Sequence, residues 1–114
     1  MAMKFNKYHA NMDSRKRSAK ERARAAELKL MERAGLIHNL SEQVRFVLIP
    51  PQHDENGKMI LNRAEYWADF TYYDADGNFI VEDVKGYRGG EAYKLFLLKK
   101  KMMLYYKHIL VREV

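Results

Sequence analysis

The chain contains no cysteine and no long apolar stretch. With no cysteine among its 114 residues, it cannot form a disulfide framework, a zinc–thiolate site or a thiol nucleophile. No apolar run reaches the ~18 residues that a membrane span needs. The N-terminus is basic but is not followed by the apolar segment of a secretory signal. These absences predict a cytoplasmic protein in a reducing compartment.

The length predicts one small domain. A hydrophobic content of 47% is ordinary for a globular protein, and a domain of this size buries about two-thirds of its unfolded surface. Its core is therefore thin, and a homodimer would bury more apolar area. We assign residues 1–13 to a flexible basic N-terminal arm and residues 14–114 to the domain.

Basic residues outnumber acidic ones by 21 to 15, and the net charge is +6. The basic residues form two clusters, and clusters of this kind neutralise phosphates and release counterions. The charge therefore predicts a nucleic-acid partner, although a solvated, soluble surface would have the same composition. The clusters comprise Arg15, Lys16, Arg17, Lys20, Arg22 and Arg24 near the N-terminus, and Lys94, Lys99, Lys100, Lys101 and Lys107 near the C-terminus.

Apolar periodicity predicts two helices and a mixed sheet. The first helix begins at Ser18, with Ser14 as an alternative N-cap, and ends at Gly35; the second covers residues 91–107. Strands are expected at 44–49, 66–73, 78–85 and 109–111, with a short extended segment around 59–62. The order, helix, three strands, helix and strand, predicts an α/β fold in which helices flank the sheet.

Two acidic residues and a lysine fall on one predicted hairpin. If residues 75–77 form a three-residue loop with Gly77 left-handed, Asp69 lies opposite Asp83. Alternation places Lys85 on the same face as Asp83 and Val84 on the other. Facing carboxylates repel each other, and a divalent cation between them would remove that cost. A regular loop of two or four residues would instead place the acids on opposite faces.

Two polar residues have alternative interpretations. Ser18 and Glu21 fit a capping box, in which the glutamate bonds back to the helix N-terminus, but Glu21 could also be a metal ligand. Gln43, just before the first predicted strand, could contact the site or could make an ordinary loop hydrogen bond. Both questions stay open at the level of sequence.

The ordered set of motifs resembles the PD-(D/E)xK nuclease superfamily. It consists of Ser18-x-x-Glu21, Ala68-Asp69-Phe70 and Glu82-Asp83-Val84-Lys85-Gly86. The similarity covers roughly residues 15–113 and extends to the superfamily's restriction-endonuclease-like core, of order αβββαβ. The chain looks most like a small phage-encoded branch similar to archaeal-type Holliday-junction resolvases. It departs from the superfamily name at Ala68, where the name implies proline.

The resemblance implies a metal-dependent DNA endonuclease. Glu21, Asp69, Asp83 and the backbone carbonyl of Val84 would hold Mg²⁺ or Mn²⁺, and Lys85 would orient the attacking water. The catalytic set would be Glu21, Asp69, Asp83 and Lys85. Independently of the resemblance, the basic clusters and the loop after Lys85 predict DNA contacts at Arg15, Lys16, Arg17, Lys20, Arg88, Lys94 and Lys99. Ordinary solvated charges are the alternative for Lys94 and Lys99, and an ordinary linker is the alternative for the loop that contains Arg88.

By the same resemblance, the substrate is branched DNA of the kind formed in recombination. A homodimer would process it, in the host cytoplasm if the chain is phage-encoded. Two alternatives remain at this point. One is a non-catalytic nucleic-acid-binding protein, and the other is a general nicking or restriction-like nuclease.

Overall fold

The computed structural model describes residues 17–114, and the predicted arm at 1–13 lies outside this range, as do Ser14, Arg15 and Lys16. Two helices and six strands make up the described part. Along the chain they are α1 (Ala19–Arg33), β1 (His38–Ile49), β2 (Gln52–His53), β3 (Met59–Leu61), β4 (Ala64–Tyr73), β5 (Phe79–Asp83), α2 (Gly90–Lys107) and β6 (Arg112–Glu113).

The main sheet is mixed, with strand order β1-β4-β5-β6. Its first three strands run antiparallel, while β6 pairs parallel to β5 after the α2 crossover. The strands β2 and β3 form a separate two-stranded sheet, which we call the small hairpin. It adds to the predicted order of elements, although an extended segment near residue 60 was expected.

The helices cover opposite faces of the main sheet. Ile80 and Val81 are neighbours on β5, so their side chains point to opposite faces. Ile80 belongs to a buried cluster with Leu28 of α1, which we call the α1 cluster. Val81 belongs to a second cluster with Phe96 and Met103 of α2, the α2 cluster. The α/β fold and the mixed sheet flanked by helices are confirmed.

Both ends of α1 follow from side-chain and backbone chemistry. The Ser18 hydroxyl accepts a hydrogen bond from the Glu21 N–H at 3.1 Å and caps the first turn. At the other end Gly35 adopts φ +79, and the Leu36 N–H returns to the Met31 carbonyl at 2.9 Å. This pattern is a Schellman motif, which needs a left-handed residue after the cap. The predicted start and end of the helix are confirmed.

The β4–β5 hairpin has the predicted register. The Asp74 N–H donates to the Asn78 carbonyl, which leaves a three-residue loop, and Gly77 is left-handed at φ +86. Tyr73 pairs with Phe79, and the register holds as far as Phe70 and Glu82. The paired residues end there, and the next two along the strands are Asp69 and Asp83, the acids expected to face each other.

The largest errors in the predicted strands lie at the two edges of the main sheet, since the central strands Ala64–Tyr73 and Phe79–Asp83 differ from the predicted 66–73 and 78–85 by at most about two residues at either end. The first strand begins at His38 rather than residue 44, because the left-handed residues Asn39 and Gln43 interrupt the alternation by which a strand is recognised. The last strand is Arg112–Glu113 rather than 109–111. The apolar residues at 109–111 instead carry the chain out of α2, and Val111 fills the α2 cluster.

Alternation reverses within β4 at Asp69. Residues two apart on a regular strand share a face, but Ala68 packs in the α2 cluster and Phe70 in the α1 cluster. The opposing position on β1 is Gln43, whose φ is +53. A paired irregularity therefore turns both strands at the point where Asp69 projects from the sheet.

Across residues 17–114, neither helix combines the length and the apolar character that crossing a bilayer demands.

Candidate metal centre

Three elements bring their polar side chains together at the bend in the sheet. Gln43 of β1 donates through Nε2 to Glu21 Oε2 of α1 and to Asp69 Oδ1 of β4, both at 3.2 Å. The second oxygen of Asp69 accepts from the Val84 N–H at 2.8 Å. Gln43 therefore lies within β1 and bridges two of the predicted ligands, which decides between its two interpretations in favour of the site.

Asp83, the second acid of the predicted pair, is buried, with 6% of its surface exposed. The Tyr66 hydroxyl donates to its Oδ2 at 2.6 Å, and Lys85 Nζ lies 3.0 Å from its Oδ1. Lys85 Nζ is also 3.8 Å from the centroid of the Phe96 ring. The ammonium group is thus held between a carboxylate and an aromatic face.

The predicted division of faces around Asp83 is confirmed. Asp83 and Lys85 point together toward α2, as their ion pair shows. Val84 packs against the α1 cluster on the opposite face. Its amide binds Asp69, and Lys20 Nζ donates to the next carbonyl, that of Lys85, at 2.6 Å.

The crowding of carboxylates changes the protonation of Asp69. Burial, followed by the charges of Asp83 and Glu21, raises the pKa of Asp69 to about 7, against the lowering effect of the Val84 N–H and Gln43. Burial and the Asp83 charge also raise the pKa of Tyr66, so its hydroxyl remains a donor. The hydrogen bonds from the Val84 N–H and Gln43 therefore do not fully offset burial and the negative charges around Asp69.

Glu21 uses its backbone and its side chain for different purposes. Its N–H makes the helix cap with Ser18. Its carboxylate accepts from Gln43 at 3.2 Å and from Arg17 Nε at 3.0 Å, and among the described residues it returns no hydrogen bond to the Ser18 amide. The capping box is therefore half formed, and the carboxylate faces the site.

The donor set suits a hard divalent cation, because carboxylate and carbonyl oxygens are the ligands that Mg²⁺ prefers. Within residues 17–114, no three acidic or imidazole side chains converge into a ready-made metal cage. Arg17 accounts for part of this, since it pairs with Glu21 and also with Glu42 at 2.6 Å. A cation bound by Asp69 and Asp83 would offset the repulsion that raises the pKa of Asp69.

The structure places the predicted DNA contacts in different settings. Arg17 is mostly buried, with its guanidinium over the Phe70 ring, and Lys20 binds the chain next to the site. Arg88 pairs with Glu113 at 3.1 Å. Lys94 is exposed beside Glu91, and Lys99 is half-buried. Arg15 and Lys16 lie outside the described residues.

Sequence reasoning missed Tyr66 as a partner of Asp83. On a regular strand Tyr66, Ala68 and Phe70 would all share one face. Only the reversal at Asp69 puts Tyr66 beside Asp83 while Phe70 packs under α1. No residue type in β4 signals this reversal, so the sequence offered no means of finding it.

The fold and site define an α/β protein with an acidic site, flanked by lysine, at a bend in its mixed sheet. The sequence profile of the family described as "Protein of unknown function (DUF1064)" matches residues 2–113, and the chain belongs to this family. No curated protein and no solved structure matches the chain.

Proposed function

We propose that the protein is a metal-dependent DNA endonuclease of the PD-(D/E)xK type, with a restriction-endonuclease-like core. The observation that carries this proposal is that burial and the charge of Asp83 act on Asp69 and raise its pKa, while Lys85 Nζ lies 3.0 Å from Asp83. A buried carboxylate beside a second, partly buried one is costly to keep, and a cation-binding role explains the pair. The net charge of +6 suits a polyanionic substrate.

Asp69, Asp83, Glu21 and the Val84 carbonyl would hold Mg²⁺ or Mn²⁺. When bound, the cation would supply Lewis-acid stabilisation of charge on the scissile phosphate. Tyr66 fixes the orientation of Asp83 through its hydroxyl. Gln43 links Asp69 to Glu21, which keeps the acid of the helix aligned with the acid of the sheet.

Lys85 would act on the attacking water and on the phosphate. Its ammonium group is confined by Asp83 and Phe96, so it would enter the reaction with little loss of side-chain entropy. As the ammonium it would orient the water by donating hydrogen bonds and would offset negative charge on the phosphate oxygens. Only its neutral amine form could take the proton of the water.

The substrate proposed is branched DNA, such as a four-way junction, processed by a homodimer in the cytoplasm, which would be the host's if the chain is phage-encoded. Two sites related by a twofold axis could act on two strands of one junction. Among nucleases, a general nicking or restriction-like activity is the alternative, and the choice of DNA form distinguishes them.

The deciding experiment measures cleavage of linear, single-stranded, flap and four-way-junction DNA with Mg²⁺ or Mn²⁺. We expect the wild type to cut the junction preferentially. Asp83→Ala should abolish cleavage and retain junction binding, because it removes a cation ligand and the partner of Lys85 but leaves the basic surface unchanged. Asp76→Asn, in the exposed turn of the same hairpin, is the matched control and should cut normally. A wild type that cuts no DNA form with either metal would refute the proposal.

One observation favours a second candidate, a nucleic-acid-binding protein without catalysis. Arg17 occupies the Glu21 carboxylate at 3.0 Å, as a cation would, and leaves Asp69 and Asp83 without a third acid. Calorimetric titration with Mn²⁺ separates the two candidates. The binding protein should give no site-specific heat, and the heat of the nuclease should be lost in Asp83→Ala.

A further inference from the structure

The small hairpin carries apolar side chains that the rest of residues 17–114 leaves uncovered. Met59, Ile60 and Leu61 are 49%, 62% and 58% exposed, and the strands β2 and β3 pack chiefly against each other. A lone two-stranded hairpin is only marginally stable in water. Consecutive exposed apolar residues of this kind mark a contact surface.

Helix α2 carries a second apolar surface that the other described residues leave uncovered. Leu95, Leu98 and Tyr105 recur at three- and seven-residue intervals, so they lie along one side of the helix, and they are 53%, 50% and 76% exposed. We call them the helix stripe. The other side of α2 already packs Phe96 and Met103 into the core. A helix that is apolar on both sides is typical of a buried position, so the stripe requires a partner.

The two surfaces have opposite charge. The small hairpin has two carboxylates, Asp54 and Glu55, against one lysine, Lys58. Helix α2 has five lysines against one glutamate. Lys94 and Lys101 are exposed and lie four and three positions from Leu98, whereas Lys100 pairs with Glu113 at 2.6 Å. Packing α2 against a second α2 would bring Lys94 and Lys101 of the two copies together, which costs free energy, whereas the hairpin offers both apolar area and carboxylates. The hairpin is therefore the better occupant of the stripe.

We propose that the small hairpin of one copy packs on the helix stripe of a second copy, and that the second copy returns the same contact. Such a reciprocal pair closes on itself around a twofold axis, which is the commonest form of homo-oligomer. Ile60 is the central apolar contact of the hairpin and Leu98 that of the stripe. Glu55 lies near the lysines that flank the stripe, of which Lys101 is exposed. This inference does not depend on the nuclease activity.

The first test measures molar mass by light scattering coupled to gel filtration. We expect the wild type at twice the 13.5 kDa of one chain. Ile60→Asp and Leu98→Asp should each weaken the dimer by about tenfold or more, as central interface truncations do. Leu30→Asp, on an α1 side chain that is 61% exposed, is the matched control and should remain dimeric. Far-UV circular dichroism confirms that each variant is folded.

The second test uses the absence of cysteine from the chain. An Ile60→Cys chain and a Leu98→Cys chain, carrying different affinity tags, are mixed and oxidised. We expect a disulfide-linked heterodimer that holds both tags, and none when Leu30→Cys replaces Leu98→Cys.

Three outcomes would overturn the inference. The first is a monomeric wild type, and the second is dissociation by Leu98→Asp but not by Ile60→Asp, which would mean that α2 packs on α2. The third is an unchanged mass in both variants with loss of DNA binding, which would assign these surfaces to DNA.

Discussion

Glu82 and Asp83 are consecutive residues of one strand, and both are buried, at 1% and 6% exposure. They point to opposite faces and meet opposite environments. Glu82 accepts from Arg24 Nε at 2.9 Å and from Arg24 Nη2 at 2.6 Å, with the Tyr72 hydroxyl as a third donor. Asp83 faces a second carboxylate, Asp69, and is compensated by the Lys85 ammonium at 3.0 Å and the Tyr66 hydroxyl at 2.6 Å, with no arginine among its partners in residues 17–114.

Glu82 and Asp83 therefore differ in how far their neighbours compensate the buried negative charge. A buried carboxylate is tolerated when an arginine and hydrogen bonds compensate it, and the Glu82 pair satisfies that condition. The pKa of Arg24 is raised by the same hydrogen bonds. The Asp69–Asp83 pair is compensated less completely, because burial first, and then the charge of Asp83, raise the pKa of Asp69 to about 7. The structure accounts for the charge on the first face, and the charge on the second is the one that the proposed cation would compensate.

The largest change in stability should come from removing Arg24, the residue that compensates the charge of Glu82. Arg24→Ala would leave the buried Glu82 carboxylate without its cation, and we expect a loss of about 3 kcal/mol in the free energy of unfolding, as for other broken buried pairs. Arg33→Ala, on the same helix and exposed, should change stability by less than about 0.5 kcal/mol. Urea denaturation measures both. A loss in Arg24→Ala no larger than in Arg33→Ala would show that Glu82 is not the structural charge described.

Neutralising Asp69, on the other face, should raise the free energy of unfolding instead of lowering it. Asp69→Asn removes the repulsion with Asp83 while its amide oxygen can still accept from the Val84 N–H. We expect the metal-free protein to gain about 1–2 kcal/mol at neutral pH and above, less than the full shift in pKa would give because the site reaches solvent. Urea denaturation in the presence of a chelator measures the gain.

The pH dependence of that gain identifies its cause. The pKa of Asp69 is about 7 in the folded protein against 3.8 for the ordinary side chain, so the folded state holds its proton more tightly. The associated stability is fully present below about pH 4 and is lost as pH rises through about 7. The advantage of Asp69→Asn should therefore be small near pH 4 and reach its maximum above pH 7. An advantage that stays constant with pH would contradict the electrostatic explanation.

The β4–β5 register was predictable because one turn determines it. The segment 74–77 contains the residues that a three-residue loop requires, with glycine at the left-handed position, and the facing acids follow by alternation. The helix start at Ser18 and end at Gly35 were predictable for a similar reason, since each depends on local hydrogen bonds.

The bend of the sheet was not predictable from these rules. It depends on a left-handed glutamine, Gln43, at a position where glycine, asparagine or aspartate would have been the signal. The partnership of Tyr66 with Asp83 follows from the bend and was missed with it. The unpaired surfaces of the small hairpin and α2 were equally hidden, because exposure depends on how the elements pack and not on composition.

The smallest effect should come from the backbone of Gln43 itself. A left-handed conformation costs a residue with a Cβ roughly 1 kcal/mol more than it costs glycine. Gln43→Ala and Gln43→Gly both remove the amide that bridges Glu21 and Asp69, so they differ only in this backbone term. We expect Gln43→Gly to be the more stable of the two by about 1 kcal/mol in urea denaturation.

Position 45 provides the reference for that difference. Arg45 is exposed, lies on the same strand and pairs with Trp67, and its backbone has no positive φ. There Arg45→Gly should be less stable than Arg45→Ala by about 0.5–1 kcal/mol, since glycine weakens an ordinary strand. The opposite order at the two positions would show that the bend is held against a local cost. If the glycine variant is less stable than the alanine variant at both positions, then the backbone of β1 is regular at Gln43 and the bend lies in β4 alone.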